Sequence, residues 1–135
     1  MSTPRYMLDT NVVSDLIRNP AGRVAKRIRK LGAEGFCVSI ITSAELWFGC
    51  AKRNSPRLTQ LVEQVLNELD ILPLESPADT EYARIRHDLE KKGVPIGPND
   101  LLIAAHACAV DAALVTPNAK EFKRVSGLKV ENWLS

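Results

Sequence analysis

The chain has 135 residues, of which 45% are hydrophobic and 25% are charged, and its formal net charge is +2. This length and apolar content suffice for the core of one domain, so we predict a single domain over residues 1–135. A net charge this close to zero excludes a uniformly basic surface, and any surface for a nucleic acid must therefore be local.

Short apolar segments alternate along the chain with longer stretches of helical periodicity. In chain order the predicted strands are RYMLD, GFCVS, DILPL, AALVT and a late edge strand, LKVEN. Strands that alternate with helices are typical of a parallel sheet covered by helices. The sequence therefore predicts an α/β fold with a central, mainly parallel sheet of four to five strands.

The helix between the first two predicted strands has two contrasting faces. Val24, Ile28 and Leu31 recur at helical spacing on one face. The opposite face carries four basic residues, Arg23, Lys26, Arg27 and Lys30. This basic face is either ordinary solvated surface or a track for the phosphates of a nucleic acid. Two further amphipathic helices are predicted in PRLTQLVEQVLNEL and PADTEYARIRHDLEKKG.

Three acidic residues stand apart because each lies in an apolar window. Asp9 directly follows the first predicted strand, Glu45 is the only charged residue in GFCVSIITSAELWFGCA, and Asp100 is the only formally charged one in GVPIGPNDLLIAAHACAV. An ionised carboxylate in an apolar setting costs several kcal/mol unless something pairs with it. Each of the three is therefore expected to have a partner.

Each of these acids also has a purely structural explanation. Thr42-x-x-Glu45 matches a capping box, Asp100 lies in a first helical turn after Pro98, and Asp9 could form a local turn. All three nevertheless fall where strands end and the next helices begin, and these points gather along one edge of a parallel sheet. We therefore expect one cleft in which like charges require a cation. Oxygen ligands without a His or Cys cluster favour Mg²⁺ or Mn²⁺ over zinc.

A second set of candidates flanks the first. Asn118 and Glu121, in TPNAKEF, follow the AALVT strand and are candidate metal ligands, but they also match a helix cap with its reciprocal acid. Thr10, Thr116 and Lys120 are candidate substrate-binding residues. The two threonines could equally cap a helix or end a strand.

The histidines and cysteines are predicted to have no catalytic role. His87 faces away from the apolar stripe of its helix, and His106 lies six residues beyond Asp100 on a different helix face. Three cysteines without a C-x-x-C pair do not form a disulfide framework, and they indicate buried thiols in a reducing compartment.

The chain shows neither a signal peptide nor an apolar run near the ~18 residues of a membrane helix. We therefore expect a cytoplasmic protein with no membrane partner.

Four ordered motifs, LDTNVVSDL, ITSAELWFG, IGPNDLLIAAHA and LVTPNAKEFKRVSGLKVENW, resemble those of PIN-domain ribonucleases, and specifically of the VapC toxins of toxin–antitoxin pairs. The resemblance covers essentially the whole chain. It implies a PIN-like three-layer α/β/α sandwich and an endoribonuclease that depends on Mg²⁺ or Mn²⁺. It also implies a VapB-type antitoxin whose C-terminal segment reaches the active site, a homodimer, and a toxin–antitoxin hetero-oligomer.

The family's acidic residues carry over onto Asp9, Glu45 and Asp100 as catalytic residues and metal ligands. We expect Asp9 and Asp100 to bind the ion directly, and Glu45 to bind through water or to act as a base. The family's fourth position, often Asp, falls on Asn118 here, which leaves a second ion open.

Two other classes of protein also place acids at the ends of parallel strands or share this fold. A phosphate-receiving signalling domain would want a second acid paired with Asp9 and a lysine at the end of a late strand, where Thr116 stands. A catalytically silent module that binds RNA or an antitoxin stays open as an alternative, and a metal-dependent cleavage assay distinguishes it from the enzyme.

Overall fold

The computed structural model describes residues 5–32 and 35–134. The strands are β1 (Tyr6–Leu8), β2 (Phe36–Ser39), β3 (Asp70–Leu72), β4 (Ala113–Val115) and β5 (Val130–Glu131). The helices are α1 (Thr10–Arg18), α2 (Arg23–Leu31), α3 (Ile40–Arg53), α4 (Pro56–Glu68), α5 (Ala78–Lys91), α6 (Pro98–Ala109) and α7 (Ala119–Phe122). Each strand lies within a segment predicted from the sequence.

The strands form one sheet in the order β3-β2-β1-β4-β5, and every neighbouring pair is parallel. β1 is therefore central, with β2 on one side and β4 on the other. Because parallel strands share a direction, the residues that follow β1 and β4 emerge at the same edge. The predicted mainly parallel sheet of four to five strands is confirmed.

Two hydrophobic clusters cover the two faces of the sheet. Met7 belongs to a cluster with Ile85 of α5 and Ile103 of α6, whereas its neighbour Leu8 belongs to a cluster with Val62 of α4. Adjacent residues of β1 enter different clusters because alternate side chains of a strand point to opposite faces. Helices on both faces make the three-layer α/β/α sandwich that the resemblance implied.

The end of the chain is fixed against the sheet by an aromatic cluster. Trp133 packs edge-on against Tyr6 and Phe36, with ring centroids 5.2 and 5.7 Å apart. Its indole N–H donates to Glu131 (3.0 Å), and the Arg27 guanidinium lies 4.9 Å from its ring and 3.6 Å from the same carboxylate. One member of the basic face on α2 is therefore already engaged within the fold.

All three cysteines are free, as predicted, although only Cys37 and Cys50 are buried and Cys108 is partly exposed. Over the described parts of the chain, no helix has the length and apolarity needed to cross a bilayer.

Candidate active site

Asp9 lies at the junction of β1 and α1 and is buried, with 4% of its surface exposed. Its Oδ1 accepts a hydrogen bond from the backbone N–H of Val12 (2.9 Å), so it is the N-cap of α1. Its own backbone N–H donates to the carbonyl of Val115 (3.0 Å), which fixes it beside the end of β4. Burial raises the pKa of Asp9 to about 6, hydrogen bonds from Thr116 and Val12 oppose the rise, and the charge of Asp100 adds to it.

Glu45 reaches the same place from α3. One of its carboxylate oxygens accepts a hydrogen bond from the hydroxyl of Thr10, and the other accepts one from the side-chain amide of Asn99 (3.3 Å). Thr10 begins α1 and Asn99 lies in the first turn of α6. The carboxylate of Glu45 is therefore held between two helices that start at this edge of the sheet.

Asp100 and Glu121 complete a cluster of four acids. Asp100 lies in the first turn of α6, and partial burial together with the negative charges of Glu121 and Glu45 raises the pKa of its carboxyl group. Since charge repulsion weakens with distance, these effects indicate that Asp100 lies near Asp9, Glu45 and Glu121. Helix dipole alone would instead stabilise an ionised Asp100.

The remaining sequence candidates fall into two groups. The side chains of Thr10 and Thr116 contact the acids, and Thr116 Oγ1 also accepts from the backbone N–H of Asn118 (3.0 Å). The side chains of Asn118 and Lys120 are exposed and make no hydrogen bond to any described residue. Asn118 therefore precedes α7 without the side-chain cap that its spacing to Glu121 suggested.

The donor chemistry of this cluster suits a hard divalent cation. The four acids offer only oxygen ligands, and burial raises the pKa of Asp9 and of Asp100, so a bound cation would favour the ionised form of both. In the described chain, however, no three His, Cys, Asp or Glu side chains are already gathered around one point. The carboxylates of Asp9, Glu45 and Asp100 would have to move together to hold an ion, and Glu45 would then exchange at least one present hydrogen bond.

The start of α3 differs from the capping box predicted for it. The N-cap is Ser39, whose hydroxyl accepts from the backbone N–H of Ile41 (3.1 Å), and the helix begins at Ile40. Thr42 is fully buried, and its hydroxyl has no hydrogen-bond partner among the described residues. Glu45 is therefore one turn further into α3 than the capping box required, and a helix-start role does not explain it.

Two polar residues near the site were not identified from the sequence. Asn99 donates a hydrogen bond to Glu45, which is 54 positions away in the sequence. The only sequence feature that pointed to Asn99 is that it is a polar residue next to Asp100 in an apolar window. Ser39 lies 2.7 Å (Oγ to Nδ1) from His106, a buried residue of α6. This bond joins α6, which carries Asp100, to the start of α3, which carries Glu45. His106 forms no hydrogen bond to Asp9, Glu45 or Asp100, and its non-catalytic role stays a prediction.

Known proteins resemble this chain in both sequence and structure. The profile of the PIN domain family matches residues 6–128. The tRNA(fMet)-specific endonuclease VapC of Shigella flexneri is 36% identical over 130 residues, which are 96% of this chain and 98% of that protein. Ribonuclease VapC2 of Haemophilus influenzae is 39% identical over 131 residues, with coverage of 96% and 98%. The solved structure of VapBC2 from Rickettsia felis, bound to a DNA fragment from its promoter, superposes with a TM-score of 0.87 at 38% identity and covers 95% of this chain and 98% of that one.

Proposed function

The chain belongs to the PIN domain family, among the VapC ribonucleases, and from this premise we propose that it is a Mg²⁺- or Mn²⁺-dependent endoribonuclease, the toxin of a VapBC-type system. The observation that carries the proposal is that Glu45 is hydrogen-bonded to Thr10, the neighbour of Asp9, and to Asn99, the neighbour of Asp100, at one edge of the sheet. We further propose that residues 1–135 act as one domain.

The chain's own residues have distinct roles in this proposal. Asp9 and Asp100 hold the ion, and Glu45 orients a water through the carboxylate that Thr10 and Asn99 now restrain. Bound at these carboxylates, the cation supplies charge stabilisation at the scissile phosphodiester and lowers the pKa of water. Thr116 keeps Asp9 in place. The side chains of Asn118 and Lys120 are exposed and form no hydrogen bond with any described residue, so we assign Lys120 to substrate contact and Asn118 to a second ion that arrives with the RNA phosphate.

Partners follow from the same premise. The solved relative is a VapBC complex, so we propose a VapB-type antitoxin as the protein partner and the cytoplasm, which holds the RNA substrate, as the place of action. An exposed apolar face on α3 supports association with other chains: Phe48 and Trp47 are 68% and 40% exposed, and Ile40 lies on the same helix. Isolated surface aromatics are ordinary, but a contiguous apolar face marks an interface. We propose a homodimer within a toxin–antitoxin hetero-oligomer.

Cleavage of end-labelled RNA by antitoxin-free protein, with and without EDTA, tests the activity. tRNA(fMet) is the first substrate to try because one relative is named for it. Asp9→Asn and Asp100→Asn should each reduce cleavage by about a hundredfold or more, since loss of a metal ligand costs at least as much as loss of a residue that supports one. Asp79→Asn is the matched control because Asp79 also lies in the first turn of a helix, α5, away from the cluster.

Equal cleavage by the unmodified protein and by both site variants, all purified alike and folded by circular dichroism, would show that the activity is a contaminant or that the site lies elsewhere. RNA binding without cleavage at any Mg²⁺ or Mn²⁺ concentration would instead identify a catalytically silent binding module. This module is the second candidate because Asn118 stands where the family often has Asp, and its exposed side chain does not cap α7.

A further inference from the structure

A groove beside the acidic cluster carries two arginines that the proposed chemistry does not use. It encloses about 210 Å³ between α1, α3 and α4. Thr10 and Glu45 line it where it meets the cluster, and Arg18 and Arg53 line it as well. The groove therefore connects the candidate active site to a local concentration of positive charge.

The positions of these residues along their helices give the groove a direction. Thr10 and Glu45 are hydrogen-bonded to each other, so α1 and α3 are in register at this level. Arg18 lies eight residues beyond Thr10, and Arg53 lies eight residues beyond Glu45. At about 1.5 Å per helical residue, both arginines lie about 12 Å from the acids along their helices.

The middle of the groove is open. Ser14 and Gly49 line it four residues along each helix, and both are small. A Cβ atom added at Gly49 would meet nothing within 4 Å. Leu58 and Val62 of α4 supply an aliphatic lining. The groove is therefore open at Gly49, midway between Glu45 and Arg53.

Both arginines are exposed, and neither forms an ion pair with any of the described acidic residues. Each is the last residue of its helix, where a positive charge is favoured by the helix dipole. The dipole explains one arginine on each helix, but it does not explain why both side chains line the groove that leads to Glu45. Guanidinium groups bind phosphates with two parallel hydrogen bonds.

We propose that Arg18 and Arg53 form a phosphate subsite that holds the backbone of single-stranded RNA about 12 Å from the bond that is cut. The inference rests on the proposed function, because a phosphodiester bound at the acids fixes one point of the polymer and the groove then receives the phosphates that follow it. Single-stranded RNA fits because every unit of the polymer carries a phosphate and because the open groove demands no fixed shape.

Binding of a fluorescently labelled single-stranded RNA, measured by anisotropy in EDTA so that the RNA stays intact, tests the subsite. The Arg18→Gln/Arg53→Gln double variant should lower the slope of log Kd against log salt concentration by about 1.4, since each contact to a single strand contributes about 0.7. The same relation predicts affinity about 25-fold weaker at about 0.1 M salt. Lys91→Gln/Lys129→Gln is the matched control, because it removes the same charge from exposed positions that do not line the groove and are not part of the basic face of α2.

A second pair of variants tests the groove without changing charge. Gly49→Leu adds a bulky side chain to the open space and should weaken RNA binding, and Gly49→Ala, which adds one methyl group, should weaken it much less than Gly49→Leu does. Circular dichroism and urea unfolding confirm that both proteins are folded.

An arginine double variant with the salt slope of the unmodified protein, or a control that loses as much slope, overturns the subsite. So does an arginine variant that binds RNA normally but no longer binds the antitoxin, because the groove is then a protein-binding surface. If the protein cuts RNA and gives either of these results, the proposed function stands and only the subsite is contradicted. Protein that binds RNA with the expected slopes but cuts none contradicts the nuclease and supports the subsite.

Discussion

Asp9 serves the fold and the site through different atoms of one side chain. Oδ1 caps α1 through Val12, and the rest of the carboxyl group faces Thr116 and Asp100. An N-cap contributes about 1 kcal/mol to stability. Burial of an ionised carboxylate costs more than that, which is why the pKa of Asp9 rises to about 6. The cap alone does not account for an acid at this depth, since Ser would cap as well without the charge.

His106 gives the clearest pH dependence outside the acidic cluster. Burial lowers the pKa of its imidazole below the ordinary value of 6.5, so the folded protein holds the ring neutral. As the pH falls below 6.5, the unfolded chain binds a proton that the fold resists, and the free energy of unfolding decreases.

We expect the free energy of unfolding to decrease less between pH 7.5 and pH 5.5 in His106→Asn than in the unmodified protein. Asn keeps a polar group facing Ser39. Urea unfolding in EDTA at several pH values measures it. Asp9 titrates in the same range with the opposite sign, because its raised pKa favours the folded state at low pH, but it contributes equally to both proteins. Parallel pH profiles would show that the imidazole is not held neutral.

At the scale of the elements, the sequence predicts the five strands and the starts of α4 and α6 correctly, and it misplaces the start of α3. The apolar runs identify β1, β2 and β4 because a strand buried on both faces leaves a continuous apolar segment in the sequence, whereas the edge strands β3 and β5 are partly exposed and each contains an acid. The start of α3 was misplaced because Ser39 and Thr42 are both plausible caps, and only packing decides that Thr42 is buried. The contact between Glu45 and Asn99 depends on how α3 and α6 sit across the sheet edge, and no local pattern encodes that geometry.

Trp133 illustrates how the last strand is held. The residue is 5% exposed and touches Tyr6, Phe36 and Arg27. Trp133→Ala should lower the free energy of unfolding by about 3–5 kcal/mol, as large-to-small changes of buried aromatics do. Urea denaturation measures this.

Trp47→Ala is the control for that experiment, because Trp47 is 40% exposed on α3. In the monomer it should change the unfolding free energy by less than about 1 kcal/mol, as surface substitutions usually do. Equal losses for the two variants would mean that the aromatic cluster does not anchor the end of the chain.

For the whole molecule, the acidic cluster links stability to metal. Repulsion among Asp9, Glu45, Asp100 and Glu121 weakens the metal-free fold. A cation that binds only the folded state raises its stability by about 2.7 kcal/mol at about a hundredfold excess over Kd. The melting temperature should therefore rise with Mn²⁺.

Asp100→Asn separates the metal site from helix electrostatics. The variant should melt at or above the temperature of the unmodified protein in EDTA, since part of the repulsion is gone, yet gain much less from Mn²⁺. A purely helical role predicts a loss of about 0.3–1 kcal/mol at every metal concentration. A variant that melts lower in EDTA and responds fully to Mn²⁺ would contradict a shared site.

The pairing of β1 with β4 also determines when, during translation, the site that cuts RNA becomes complete. The ribosome makes Asp9 and Glu45 first, and it makes Asp100, the strand that brings Thr116 beside Asp9, and Glu121 later. At about 5–20 residues per second, Asp100 follows Glu45 by about 3–11 seconds and Glu121 follows it by about 4–15 seconds. A half-made chain therefore has no complete site with which to cut the message that is still being read.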